Sequence, residues 1–271
     1  MNPAQFLDGR VASLLLAGGM LNGLAYRLVE EWRADGLDAP SEFFSVSPFE
    51  LLVAGVGIRL LWAAGPFVGK VGGAATALYM LLMLWPSSLI AWLLVTALAT
   101  GMAFRLRGPA RSGAVLFAAL GAWEVWSAVL EPMAAGSILS LDAGIVAALL
   151  SAVRENVFRI GNVVGAADGH RIVVIVGCST AHILPLAVLG ASGLVLIRGE
   201  RLGLAAIAGL AGLAVALAAM NLCRLTLMAW SADLYHIVHS STGAMVFDAL
   251  TSLAVVAAAL AIPTRRTGVP P

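Results

Sequence analysis

Long apolar runs alternate with short polar interruptions along this chain, and the length of each run sets what it can do. A helix rises about 1.5 Å per residue, so about 20 apolar residues, within a range of about 17 to 25, cross the hydrocarbon core of a bilayer. On that ruler the first span runs from Val11 to about Leu28 and leads into a solvated loop with Glu30, Glu31, Arg33, Asp35, Asp38 and Glu42. No small-residue cleavage site follows this run, so it reads as a retained span. The second covers Phe49 to Val68 and contains Arg59, either snorkelling or facing the bundle. The run from Gly72 to Phe104 is too long for one crossing and splits at Pro86-Ser87-Ser88 into two short spans. The fifth, Ser112 to Leu130, carries Glu124 and Trp126 and ends at Glu131-Pro132. Ala134 to Val153 is interrupted by Ser137, Ser140 and Asp142. Its apolar part after Asp142 is short of a crossing, so it is expected to be re-entrant or interfacial.

From Val157 to Gly177 the pattern changes to β-branched residues around an Asp168-Gly169 turn signal, flanked by Phe158 to Val164 and Arg171 to Val176. This predicts a small β-hairpin, which must lie at an interface or under protein because an open sheet edge cannot face lipid. Three more spans follow: about Cys178 to Ile197, Leu202 to Trp230, and Ala244 to Ile262. The expected fold is an all-α polytopic integral membrane protein of about eight transmembrane helices, with the hairpin outside the cytoplasm. It forms a single membrane domain over residues 1–271, with amino-terminal spans over 11–130 and a core over 134–262.

Composition agrees. Hydrophobic residues make up 61% of the 271 positions and charged ones 11%, too little polar surface for a soluble domain. The net charge of +1 and the scatter of the 16 basic residues exclude nucleic acid as a partner. Arg10, Lys70, Arg105, Arg107, Arg111, Arg198, Arg201, Arg265 and Arg266 fall on one set of connections, against Arg27, Arg33, Arg154, Arg159 and Arg171 on the other. The positive-inside rule then places both termini in the cytoplasm of a cell whose inner (cytoplasmic) membrane holds the chain. No cofactor is expected: Gly65 to Lys70 is one residue short of a phosphate loop and lacks the following Ser or Thr.

On this layout three polar clusters converge at the outer face. Gly177-Cys178-Ser179-Thr180-Ala181-His182 opens a descending helix, Asn221-Leu222-Cys223-Arg224 lies near the outer end of an ascending one, and His239-Ser240-Ser241-Thr242-Gly243 precedes the last descent. Cys178 sits at a helix start with cationic neighbours in prospect, a setting that lowers a thiol pKa from about 8.5 into the range of about 3.5 to 7.5. Cys223, among leucines inside a span, reads as a small packing residue. Two such cysteines form no disulfide framework. An arginine within a span needs a partner or a cavity, and the guanidinium of Arg224 can hold a carboxylate or a developing oxyanion. Asn221 lies one turn earlier on the same face. His239, His236 and His182 each qualify as the proton-transferring partner of the thiol. Metal binding by these histidines is the weaker reading, and no metal is expected.

Three features together resemble the exosortase/archaeosortase family of polytopic membrane proteins: Cys178-Ser179 after a strand-like segment, Asn221-x-x-Arg224 late in a long apolar helix, and His239-x-x-x-Gly243 before the final helix. The likeness covers roughly Asp142 to Ile262, including Gly161-Asn162, while the amino-terminal spans match only in being spans. It implies a sortase-like cysteine protease or transpeptidase with Cys178, Arg224 and His239 as catalytic residues, and so favours His239 over the other histidines. It implies as partners exported proteins with a C-terminal sorting signal and transmembrane helix, together with a lipid or envelope acceptor. Thr180 stands where family members often have glycine. The competing expectation is a non-enzymatic transporter or export scaffold, with Asn221 and Arg224 lining a path.

Overall fold

The computed structural model describes residues 6–35, 46–63, 66–70, 79–166, 169–200 and 202–262. In chain order the elements are β1 (Phe6–Asp8), α1 (Gly9–Asp35), α2 (Pro48–Ala63), β2 (Pro66–Lys70), α3 (Ser88–Arg105), α4 (Gly108–Val125), a π-helical turn (Trp126–Leu130) and α5 (Glu131–Ser151). They continue with β3 (Val157–Ile160), β4 (Val163–Ala166), β5 (Arg171–Val173), a 3-10 turn (Val176–Cys178), α6 (Thr180–Ile197), α7 (Leu204–Trp230), α8 (Ala232–His239) and α9 (Ser241–Ala261). Among the described residues six helices are long and apolar enough to cross a membrane, which makes this a multi-pass membrane protein. Eight spans were expected, and the difference has local causes. The second span shortens to the 16 residues of α2. Half of the third, residues 72–78, lies outside the described residues, whereas the break before the fourth is present: Ser87 caps α3 by accepting from Ile90 N.

The expected stop at Glu131-Pro132 is not a stop. Helix continues from Gly108 to Ser151, 44 residues, and the wider π turn ends at Leu130, one residue before Glu131-Pro132, whose proline has no N–H to give to the preceding turn. Nor do Ser137, Ser140 and Asp142 interrupt α5, because Asp142 is buried against a partner described below.

The chain divides into two compact units, Met1–Ala128 with Gly193–Arg201, and Val129–Ser192 with Leu202–Pro271. In the first, α1 to α4 pack together around Leu16, Leu61, Val95, Phe117 and Leu120. Small residues set its closest approach: a Cβ built on Gly113 of α4 would lie 2.7 Å from the Gly57 carbonyl oxygen of α2. Arg27, expected in an outer polar segment, instead reaches Glu50 at 2.8 Å and Glu124 at 3.0 Å, so one guanidinium ties α1, α2 and α4 together. Arg59 is exposed on α2.

In the second unit the hairpin is a three-stranded antiparallel sheet ordered β3-β4-β5. Gly161-Asn162 forms an additional two-residue turn, with Gly161 at φ 60°, as a glycine-first hairpin turn requires. Val164, Ile172 and Val174 turn inward and share a core with Leu139, Val146 and Leu150 of α5, Leu225 and Met228 of α7, and Val238 of α8. The sheet is covered on that face by helices.

Candidate active site

Cys178 ends the 3-10 turn and precedes the helix proper; Ser179, extended at φ −73° and ψ 140°, leads into α6. Its hydroxyl accepts from Ala181 N at 3.2 Å and its carbonyl from His182 N at 3.1 Å, so Ser179 acts as the N-cap. The same hydroxyl donates to Asp142 Oδ2 at 3.0 Å, and Thr180 N donates to that oxygen at 2.9 Å. A buried carboxylate from α5 therefore holds the start of α6, where helix N–H groups lack intrahelical partners and favour negative charge. From the opposite side Asn221 Nδ2 donates to the Cys178 carbonyl and to Thr180 Oγ1, both at 3.0 Å. The backbone of Cys178 is fixed between α5 and α7, and Thr180 supplies an acceptor that a glycine would lack.

The route of the chain after Asn221 brings His239 back to this level. From Asn221 to Trp230 α7 advances about 13 Å at 1.5 Å per residue. Ser231, at φ −156° and ψ 159°, breaks the helix and caps α8 by accepting from Leu234 N. The eight residues of α8 return about 12 Å. Val238 accordingly reaches the core cluster of Leu225. At the far end of α8, Ser240 caps α9 by accepting from Gly243 N at 3.1 Å. A Cβ on Gly243 would lie 2.6 Å from the Val238 carbonyl oxygen, so the glycine permits α9 to begin directly against the end of α8.

A groove of about 520 Å³ results. Cys178 and His239 both line it, with His170, Tyr235 and His236. His239 stacks on Tyr235 with ring centroids 4.9 Å apart and 24° between planes. His170 Nε2 lies 2.8 Å from the Met228 carbonyl oxygen, which can only accept, so that nitrogen carries the proton. His170 and Arg154, which reaches the Trp230 carbonyl, thereby satisfy carbonyls left over at the end of α7.

Arg224 is not among the residues lining the groove. Its guanidinium lies over the Phe247 ring, 5.3 Å from the centroid, and its Nε is buried with no hydrogen-bond partner among the described residues. His182 does not line the groove either; its Nδ1 is 3.0 Å from Glu131 Oε2. Cys223, expected to be packed, is exposed.

Sequence reasoning missed three contributors. Asp142 appeared only as an interruption of an apolar run. Tyr235 precedes His239 by four residues, which places both on one helix face, and that spacing was the available signal. His170, beside the Asp-Gly turn, carried no signal of its own. Among the described residues no group of three or more His, Cys, Asp or Glu side chains is placed to hold a metal ion. Comparison of the chain with protein-family models, with curated proteins and with solved structures finds no match.

Proposed function

We propose that this chain is a membrane-embedded thiol enzyme that cleaves a C-terminal sorting signal from exported proteins and passes the new carboxyl end to an acceptor. The observation that carries the reading is that Cys178 and His239 line the same groove although they reside on different elements. His239 takes the Cys178 thiol proton as the sulfur attacks the scissile carbonyl carbon, forming a carbon–sulfur bond and a tetrahedral oxyanion. The carbon–nitrogen bond then breaks as His239 gives its proton to the leaving amine, leaving a thioester on Cys178. An amine or hydroxyl acceptor, or water, attacks the thioester and loses its proton to His239, and the carbon–sulfur bond breaks as His239 returns that proton to the sulfur, restoring the thiol. Arg224 is assigned to the oxyanion on the resemblance: its guanidinium lies over Phe247, outside the groove, so it serves the oxyanion only by leaving that ring as substrate enters. The catalytic groove opens at the extracytoplasmic face of the inner membrane, with both termini cytoplasmic, where a substrate still anchored by its own helix presents the segment beside that helix.

Cells carrying Cys178→Ala or Cys223→Ala are compared with wild type by mass spectrometry of membrane proteins with a C-terminal helix. Proteins that keep the helix only with Cys178→Ala are the expected result, and the mass of the wild-type product identifies water or another acceptor. Identical processing in all three strains removes Cys178 as nucleophile.

A further inference from the structure

β5 has an open side, and that side is a wall of the groove. The sheet order places β4 on one flank of β5 and, among the described residues, no strand on the other. Backbone groups in an antiparallel ladder point alternately toward and away from the partner strand. The His170 carbonyl accepts from Ala166 N at 3.1 Å and Val174 N donates to the Asn162 carbonyl at 2.9 Å, which turns His170, Ile172 and Val174 toward β4. The N–H and C=O of Arg171 and Val173 therefore face away, and no hydrogen bond reaches them among the described residues. Arg171, Val173, Ile175 and Cys178 line the groove together with Tyr235 and His239.

An unpaired edge in apolar surroundings is costly, and an extended peptide lying about 4.7–4.9 Å away removes the cost by pairing with it. We propose that the polypeptide substrate binds by adding a strand to β5, its backbone hydrogen-bonded to Arg171 and Val173, so that the bond to be cleaved is delivered along the strand to Cys178. This rests on the thiol-enzyme reading above and names how its substrate is held. Recognition of this kind reads backbone N–H and C=O, with side chains selected only at alternate positions.

The test uses the full-length protein in lipid nanodiscs and an acetylated Val-Ala-Val tripeptide ending in a vinyl sulfone. Its β-carbon bonds to the Cys178 sulfur while the adjacent carbon takes up a proton. Labelling rates at Cys178 are compared with those for methyl vinyl sulfone, which has no backbone to pair, and for the same tripeptide with alternate amides N-methylated. In Val173→Pro the outward N–H is lost while the ladder to β4 stays intact, as edge strands tolerate; Val173→Ala controls for the side chain. The expected result is a peptide advantage of about tenfold or more over methyl vinyl sulfone, lost on N-methylation and in Val173→Pro, and kept in Val173→Ala. The N-methylated probe decides the matter on the wild-type protein even if the proline variant does not fold. A Cys178 that reacts with methyl vinyl sulfone but shows no peptide advantage, or no effect of N-methylation, overturns strand addition alone. A Cys178 inert to methyl vinyl sulfone overturns the thiol-enzyme reading and strand addition with it.

Discussion

Asp142 is the residue whose removal speaks most directly to how the site is built. One carboxylate oxygen accepts from the Ser179 hydroxyl at 3.0 Å and the Thr180 N–H at 2.9 Å, and Ser179 is completely buried. Asp142→Ala leaves both donors without a partner and without access to water. At about 1–2 kcal/mol for each stranded donor the loss is about 2–4 kcal/mol, and removing the negative charge from a helix start adds to it. Asp142→Asn keeps an acceptor oxygen in place, so its cost is smaller, about 1 kcal/mol. Two readouts follow from the position of Cys178 beside this cap. The denaturation midpoint of the purified protein should fall in the order wild type, Asn variant, Ala variant. Alkylation of Cys178 by iodoacetamide should change in the Ala variant and stay near wild type in the Asn variant. In the Asp142→Ala, Ser179→Ala double variant the hydroxyl is gone as well as its acceptor, so part of the stability returns. Equal stability of the Ala and Asn variants would refute the capping account, because it would mean that neither donor depends on the carboxylate.

The first unit makes its own demands. Arg27→Met strands the buried carboxylates of Glu50 and Glu124 and should cost about 3–5 kcal/mol. Adding Glu50→Gln and Glu124→Gln should recover much of the denaturation midpoint, and an unchanged midpoint in the single variant would show that the cluster does not join these helices. Gly113→Ala drives a methyl against the α2 backbone and should lower the midpoint by about 1–3 kcal/mol, whereas Gly101→Ala, with nothing within 4 Å, should not. At the site, Arg224→Ala should slow substrate cleavage about 100- to 1,000-fold with Cys178 alkylation unchanged. Arg224→Lys should not restore the rate, since an ammonium lacks the planar fork that lies over Phe247. Cleavage at the wild-type rate in Arg224→Lys would remove that argument.

Much of the helical frame was legible because length and hydropathy are local properties. The last three expected spans lie within a few residues of α6, α7 and α9. What escaped the sequence depended on accommodation or on distant partners. Pro132 reads as a helix stop, yet a π turn absorbs it. Gly161-Asn162 lies within a run of β-branched residues, so the first expected strand looked continuous where the sheet has an additional turn. Arg27 belonged by charge to a solvated loop, and its carboxylate partners come from two other helices, which no window over the sequence can pair.

The site shows the same division more sharply, because helical phase separates residues that composition treats alike. On α7 the buried residues Leu217, Asn221, Leu225 and Met228 follow one another at spacings of three and four, so they form one inward face. Asn221 therefore points where it can hold the Cys178 carbonyl, and Arg224, one turn later, lies beside that face over Phe247. Cys223 is two positions from Asn221, about 200° around the helix, and its exposure follows from that rotation alone. The two cysteines are thus separated by the phase of one helix and the cap of another: Cys178 is held by backbone bonds at the groove, and Cys223 faces outward. Replacing Cys223 touches none of the bonds that build the groove, so any loss of processing seen with Cys178→Ala and absent with Cys223→Ala belongs to the groove thiol itself.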